Sequence, residues 1–309
     1  RDLVRSRGLG DVYKRQVKGK GMENTFLNYP DWQDTADTIH LFLQLAGKVK
    51  VKRCTTRPEW AHVLLYLLPD GLTTGLIPGD NSAFSIFFDF RQHQVEFRNG
   101  EGKRVDIPLE DGLSVADFYK QFNNALEQMG SPTSIGVKAQ YFYEPVDLDR
   151  DEKHHTYDKI AIRKWLQSLL FAYKVMSLYL APFHGKVHYP AYYFGKMDLS
   201  CMVFNGKLIP TTLKNEVMRK ALDEEMYACG FWPGDISSPQ AAFYAMPYPF
   251  IEDLKENATL LQPDKAIFKP DKKEFFLALE DVFSYPDPEK TVTDFFQSGF
   301  DIFQKIQPW

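Results

Sequence analysis

Cysteine is scarce in this chain, with three residues in 309. Cys54, Cys201 and Cys229 lie far apart with no Cys-x-x-Cys, so neither a disulfide framework nor a zinc knuckle is signalled. A positive balance is missing too, because 37 Lys and Arg face 41 Asp and Glu. An acidic surface repels phosphate backbones, which argues against nucleic acid as a partner. The most apolar stretch, 165–183, is interrupted by Gln167, Lys174 and two serines and reads as a buried core helix, not a membrane span. No secretory signal follows Met22, so a soluble cytoplasmic protein is expected. There is no Gly-x-Ser-x-Gly, Gly-x-Gly-x-x-Gly, Walker loop or His-Glu-x-x-His. That argues against serine-hydrolase, dinucleotide, nucleotide-hydrolysis and zinc-protease chemistry by those routes, while a site assembled from distant residues stays open. No cofactor is named, and oligomeric state is left open.

What is present is a packed protein: 44% of the residues are hydrophobic and 15% aromatic, which excludes a disordered chain. Residues 1–16, ending Asp11-Val12-Tyr13-Lys14-Arg15-Gln16, read as a translated transposon-based sequencing adapter, and 17–21 as leader, with Met22 the expected start. Residues 1–21 hold seven basic and two acidic side chains, so without them 37 falls to 30, 41 falls to 39, and the net charge is −9.

Two sets of markers recur in the same order. Gly47-Lys48-Val49 is answered by Gly185-Lys186-Val187, and Leu109-Glu110-Asp111 by Leu279-Glu280-Asp281. Each second set is followed by a helix opening in a similar way, at Ser114-Val115-Ala116-Asp117 and at Thr291-Val292-Thr293-Asp294. The expected fold is α+β: two tandem similar units, each a mainly antiparallel sheet flanked by helices, sharing a continuous core. The units are expected at 22–146 and 159–309, joined by a charged connector at 147–158. The first markers stand 138 residues apart and the second 170, so the later unit carries about 32 extra residues, placed at about 207–240. A smaller addition is expected at 285–290.

Within the first unit a helix is expected to run to Ala46 and stop at Gly47 as a left-handed cap. Lys48-Val49-Lys50-Val51-Lys52-Arg53 alternates with period two and predicts a strand with lysines in water. Asp70-Gly71 and Asn99-Gly100 predict two-residue hairpins. Ser114 predicts a cap, with Asp117 returning the bond, before a stripe of Val115, Phe118, Phe122, Leu126 and Met129. In the second unit a helix is expected at 214–227 ahead of Phe231-Trp232.

Ile39-His40-Leu41-Phe42 through Gly47-Lys48-Val49, Trp60-Ala61-His62-Val63, Gly71-Leu72-Thr73-Thr74 and Phe88-Asp89-Phe90 resemble the domain of unknown function 5996 family. So do Gly195 through Leu199, 225–234, and Phe243-Tyr244-Ala245 with Tyr248-Pro249, so that the resemblance spans about 29–309. It implies an uncharacterised, mostly bacterial protein and no assigned activity. Where relatives read Ser-Pro-Val-His-Phe-Phe-Trp, this chain reads His188-Tyr189-Pro190-Ala191-Tyr192-Tyr193-Phe194. Ala191 stands at a family histidine, and a mechanism built on that imidazole has no counterpart here.

His184-x-x-x-His188 has metal-like spacing only on a helix, which Pro182, Gly185 and Pro190 oppose. On an extended segment the rings stand about 13 Å apart, too far for one zinc. Both read as surface or capping histidines, and His154-His155 as part of a flexible charged connector, so no metal site is expected. His40 and Gln44 share a helix face with Lys48 a turn on, either as a satisfied core network or as a polar patch lining a cleft. Trp60 and His62 are expected on one face of a strand, packed together or meeting a ligand. Lys186, Asp198, Glu225, Trp232 and Tyr244 are the second-unit candidates, with Glu225 preferred over its neighbour Glu224. The functional expectation is a small organic ligand in an aromatic-lined cleft between the units. An enzyme using His62 or Glu225 as general acid/base, or an interaction module presenting Phe231-Trp232, are the alternatives.

Overall fold

A computed structural model describes residues 27–210, 213–251, 254 and 258–309. The adapter, leader and Met22 lie outside the described residues. The order helix, antiparallel sheet, helix occurs twice. Helix α1 (Gln33–Arg53) is followed by β1 (Tyr66–Leu68), β2 (Gly71–Thr73), β3 (Phe84–Asp89), β4 (Gln94–Asn99) and β5 (Arg104–Pro108), then α2 (Val115–Gln128). Helix α3 (Lys159–Leu180) is followed by β6 (Val187–Tyr193), β7 (Asp198–Leu208), the short α4 (Glu216–Ala221), β8 (Glu224–Trp232) and β9 (Ala242–Tyr248). Strands β10 (Ile267–Lys269) and β11 (Glu274–Ala278) then lead to α5 (Leu279–Val282) and α6 (Pro288–Ile306).

The first sheet is a meander, β1-β2-β3-β4-β5, and the second runs β10-β11-β9-β8-β7-β6, antiparallel throughout. Their adjoining edges meet at Leu65 and Tyr192, whose amides and carbonyls exchange bonds of 3.0 and 2.8 Å. One apolar cluster runs through both units, from Leu41 and Phe118 to Tyr192, Phe243 and Phe296.

Helix α1 lies at the middle of that cluster, with every residue from Thr35 to Lys50 buried. A helix apolar nearly all round is a core helix, and this burial overrides two local signals. The helix passes through Gly47 instead of stopping there, and 48–53 form its last turns instead of a strand. Period two loses because each buried lysine finds carbonyls: Lys48 Nζ donates to Lys138 O at 2.8 Å, and Lys50 Nζ to Thr74 O at 2.7 Å and to Leu64 O. Gly47 provides room, since a Cβ there would sit 2.2 Å from the ring of Phe194 in the β6–β7 turn.

Other local expectations divide. Ser114 caps α2 through Asp117 N, and the whole stripe from Val115 to Met129 is buried; the Asp117 carboxylate bonds Lys120. The β1–β2 turn is Pro69-Asp70, because Leu68 pairs with Gly71. The β4–β5 loop runs from Asn99 to Lys103, held by the Asn99 carboxamide accepting from Glu101 N and Lys103 N. Asn205-Gly206 lies at an irregularity within β7. The expected helix 214–227 is mostly wrong: α4 has six residues, and 224–232 form β8, between β7 and β9. Among the described residues no helix is long and apolar enough to cross a membrane.

Candidate functional site

The two sheets differ on the faces turned away from the long helices. In the first sheet that face carries Ser85, Glu96, Arg98, Arg104 and Asp106, with Glu96 held by Arg98 and by Arg104 at 3.0 Å. It is an ion-paired face around the buried Glu96, with Phe87 beside it. In the second sheet α3 and α6 cover the side bearing Cys201, Tyr227, Phe231 and Phe243. The opposite side, set by strand alternation, carries cross-strand rows Phe204–Met226–Tyr248, Met202–Ala228–Met246 and Ser200–Gly230–Tyr244–Phe276. Residues Phe204, Leu222, Met226 and Tyr248 form an apolar cluster separate from the main core, with Met202, Met218 and Met246 packed around it. Four of the eight methionines are therefore here, and methionine adapts to irregular shapes.

One end of this face is polar. Tyr244 lies flat across Gly230, where a Cβ would meet its ring at 2.2 Å, and its hydroxyl donates to Asp198 Oδ2 at 2.6 Å. Burial raises the Asp198 carboxyl, partly offset by that hydrogen bond. Nearby Glu274 is pushed up to about 6 by burial, against the opposing charges of Lys272, Lys196 and Lys269. Lys272 Nζ stands 4.2 Å above the Trp232 ring. Asp198, Trp232 and Tyr244 thus come together, although they are far apart in sequence.

The other end joins the two units. Pro58–Trp60 form a 3-10 turn in which Glu59 and Trp60 both hold left-handed backbone, φ 48° and 58°. Such strain in non-glycine residues persists only where surrounding contacts impose it. Glu59 is 3% exposed, with Oε1 accepting from Lys186 Nζ at 2.7 Å and Oε2 3.4 Å from His188 Nε2. Lys186 also donates to Glu224 Oε2 at 2.6 Å, and its Nζ stands 4.2 Å over Phe204. Burial opposes ionisation of Glu59, but His188 and Lys186 outweigh it and hold the carboxyl below the usual range. Burial likewise disfavours charge on Lys186, and Glu224 and Glu59 overcome it. Helix α4 packs on this turn, with Trp60 Nε1 donating to Val217 O at 2.9 Å.

Trp60 and His62 are not on a strand, being in the 3-10 turn and the loop after it, yet their rings stack at 5.6 Å. His62 Nδ1 accepts from Arg57 N at 3.2 Å, and burial, then Lys50, lowers its basicity. His40, Gln44 and Lys48 form a backbone clamp. Gln44 donates to Gln140 O and accepts from Gln140 N, both at 2.8 Å, while His40 Nε2 lies 3.2 Å from Gly195 O. This holds the β6–β7 turn three residues before Asp198. Burial lowers His40 to about 4. Glu225 stands apart. It faces the α6 side of β8, bound by Lys207 at 2.8 Å and by Asn205 and Gln307. Glu225 and Trp232 lie at opposite ends of β8 and on opposite faces, so Trp232 does not share a site with Glu225. Phe231 is 1% exposed and presents no partner surface.

Glu59, Asp223 and Glu274 went unnoticed in the sequence. The alternation of Glu274 with Phe276 on a strand was a usable signal for one of them; Glu59 had none, because only the tertiary contact buries it. His188 is no surface residue, since it faces Glu59, whereas His184 is exposed. His154 is not in a flexible connector either: it is buried, bonded at 2.7 Å to Asp151, and borders an open hollow of ≈ 330 Å³. Among the described residues no group of three or more His, Cys, Asp or Glu could hold a metal ion. Comparison with curated proteins and with solved structures returned no match. A family described as a family of unknown function, DUF5996, matches residues 25–309, and the chain belongs to it.

Proposed function

We propose that this protein binds a small organic molecule on the face of its second sheet turned away from α3 and α6. The molecule would lie against Met202 and Met246, the half-buried methionines of that face, between the Glu59–Lys186 group at one end and Tyr244, Asp198 and Trp232 at the other. One observation carries the reading: the equivalent face of the first sheet is crossed by ion pairs at Glu96, whereas this one is apolar, methionine-rich and edged by buried charge. The part of the extra stretch that leaves the sheet supports the reading, because Ile209, Leu213 and Met218 join the same cluster. The three free thiols support a cytoplasmic setting, and the net charge of −4 favours a small molecule over nucleic acid.

A second reading, general acid/base catalysis, is favoured at Glu274 and Asp198 rather than at His62 or Glu225. A carboxyl raised to about 6 can exchange protons near neutrality. Native mass spectrometry of freshly purified protein is expected to reveal a co-purifying small molecule released on denaturation. The neutral dye N-phenyl-1-naphthylamine is expected to bind saturably, with about tenfold weaker affinity for Met246→Glu, which sets a charge on the apolar floor. Absence of both a released molecule and saturable dye binding overturns the proposal.

A further inference from the structure

The excursion between β7 and β8 has a closed neck. It leaves the sheet at Ile209 and returns at Asp223, and Ile209 N donates to Asp223 O at 2.8 Å beside the Leu208–Glu224 pair. Compact excursions with joined ends are frequently functional. Helix α4 within it is self-contained. Asn215 accepts from Met218 N at 3.1 Å, Glu216 pairs with Lys220 at 2.8 Å, and Arg219 Nη1 donates to Leu213 O at 3.0 Å. None of its six residues is buried. It is held on the molecule by apolar contact and by Trp60, whose Nε1 donates to Val217 O at 2.9 Å and whose ring lies 5.5 Å from Lys220 Nζ. Segments that open locally are those with few buried contacts and exposed backbone bonds.

Beneath α4 and its C-cap Leu222 lies the row Phe204–Met226–Tyr248, 6, 1 and 7% exposed, with Phe250 packed against it as well. The next row, Met202–Ala228–Met246, keeps its two methionines half-buried. The apolar floor is thus divided, one row open and the next covered. The covered cluster is separate from the main core, so uncovering it leaves that core intact. Closure also carries a cost. Asp223 Oδ1, at the neck, and His188 Nδ1, whose ring packs on Phe204 at 5.1 Å, are shut off from solvent with no hydrogen-bond partner. Glu59 and Trp60, against which α4 packs, hold left-handed backbone. Unsatisfied polar atoms and strained backbone both disfavour the closed arrangement, while burial of Met218 and Leu222 favours it. An element held by opposing terms of the same order can take two positions.

Resting on the ligand-binding reading above, we propose that α4 is a lid. Docked on Trp60 in this structure, it lifts about the Ile209–Asp223 neck and joins the row Phe204–Met226–Tyr248 to the floor of Met202 and Met246 as the ligand enters. Trp60 is then the latch, and the strain at Glu59 and Trp60 belongs to the latched state.

Stopped-flow association of N-phenyl-1-naphthylamine with the full chain tests this. The observed rate is expected to level off at high dye, at the rate at which the lid opens. Trp60→Phe keeps an aromatic ring and removes the donor to Val217 O. It should favour the open lid and tighten the dye at least about threefold, because apparent affinity scales with the open fraction. A fixed cover predicts otherwise: lower stability, with dye affinity unchanged or weaker. Circular dichroism checks that the variant folds, and Met218→Ala, which trims an apolar anchor of α4, takes its place if it does not. A rate linear in dye throughout, or a variant that binds no tighter than wild type, overturns the lid while leaving the apolar site standing. Absence of saturable dye binding in every protein overturns both.

Discussion

His40 shows how a residue that looks catalytic can be structural. It lies on a helix with Gln44 one turn on, and the structure spends both side chains on the backbone at Gln140 and Gly195. Burial lowers its pKa from 6.5 to about 4. A group whose folded pKa is depressed contributes stability that is present above the unfolded value and lost as pH falls through the folded one. The contribution is therefore present above pH 6.5, declines between 6.5 and 4, and amounts to about 3 kcal/mol at most. Urea unfolding at pH 7 and pH 4 is expected to show this loss in the wild type and a loss smaller by about 2–3 kcal/mol in His40→Asn. An unchanged pH dependence in the variant would show that His40 titrates normally. At this scale the sequence identified which side chains were polar on an apolar background, but not what they touch. Their partners are backbone carbonyls about 100 or more residues away.

At the scale of the element, α1 shows tertiary burial overruling local pattern. Gly47 reads as a cap and the residues after it as a strand, but the helix continues because it is enclosed on all sides. Intrinsic propensity makes Ala better than Gly inside a helix by about 1 kcal/mol. Here the added Cβ would lie 2.2 Å from Phe194, whose ring is itself buried against the helix. Gly47→Ala is accordingly expected to destabilise by about 1–3 kcal/mol, the usual cost of overpacking. Phe194→Leu in the same chain should recover part of that loss. Thermal unfolding of the single and double variants checks both, and a Gly47→Ala protein more stable than wild type would show that propensity dominates. The amphipathic stripe of α2 was legible and survives intact, because its solvent face keeps the period visible. Helix α1 and strand β8 have no such face, and both were misread.

At the scale of the molecule, the two sheets are joined by the Leu65–Tyr192 bridge and by a core that crosses from one unit to the other. Splitting them would expose α1 and the aromatic pairs Trp32–Trp165 and Trp165–Tyr192, which lie 5.6 and 5.8 Å apart between ring centres. One cooperative transition is expected, with calorimetric and van't Hoff enthalpies equal. Two resolved transitions would mean that the units are held together only weakly. The α+β class, the antiparallel sheets and the repeated helix–sheet–helix order followed from sequence alone, because turn residues, caps and alternation act over a few neighbours. Which face of the second sheet α3 and α6 cover, and which carboxylates are buried at the seam, were decided only by folding. Desolvation and charge pairing at Glu59, Lys186 and His188 depend on distances between segments more than 100 residues apart, and no local pattern encodes them.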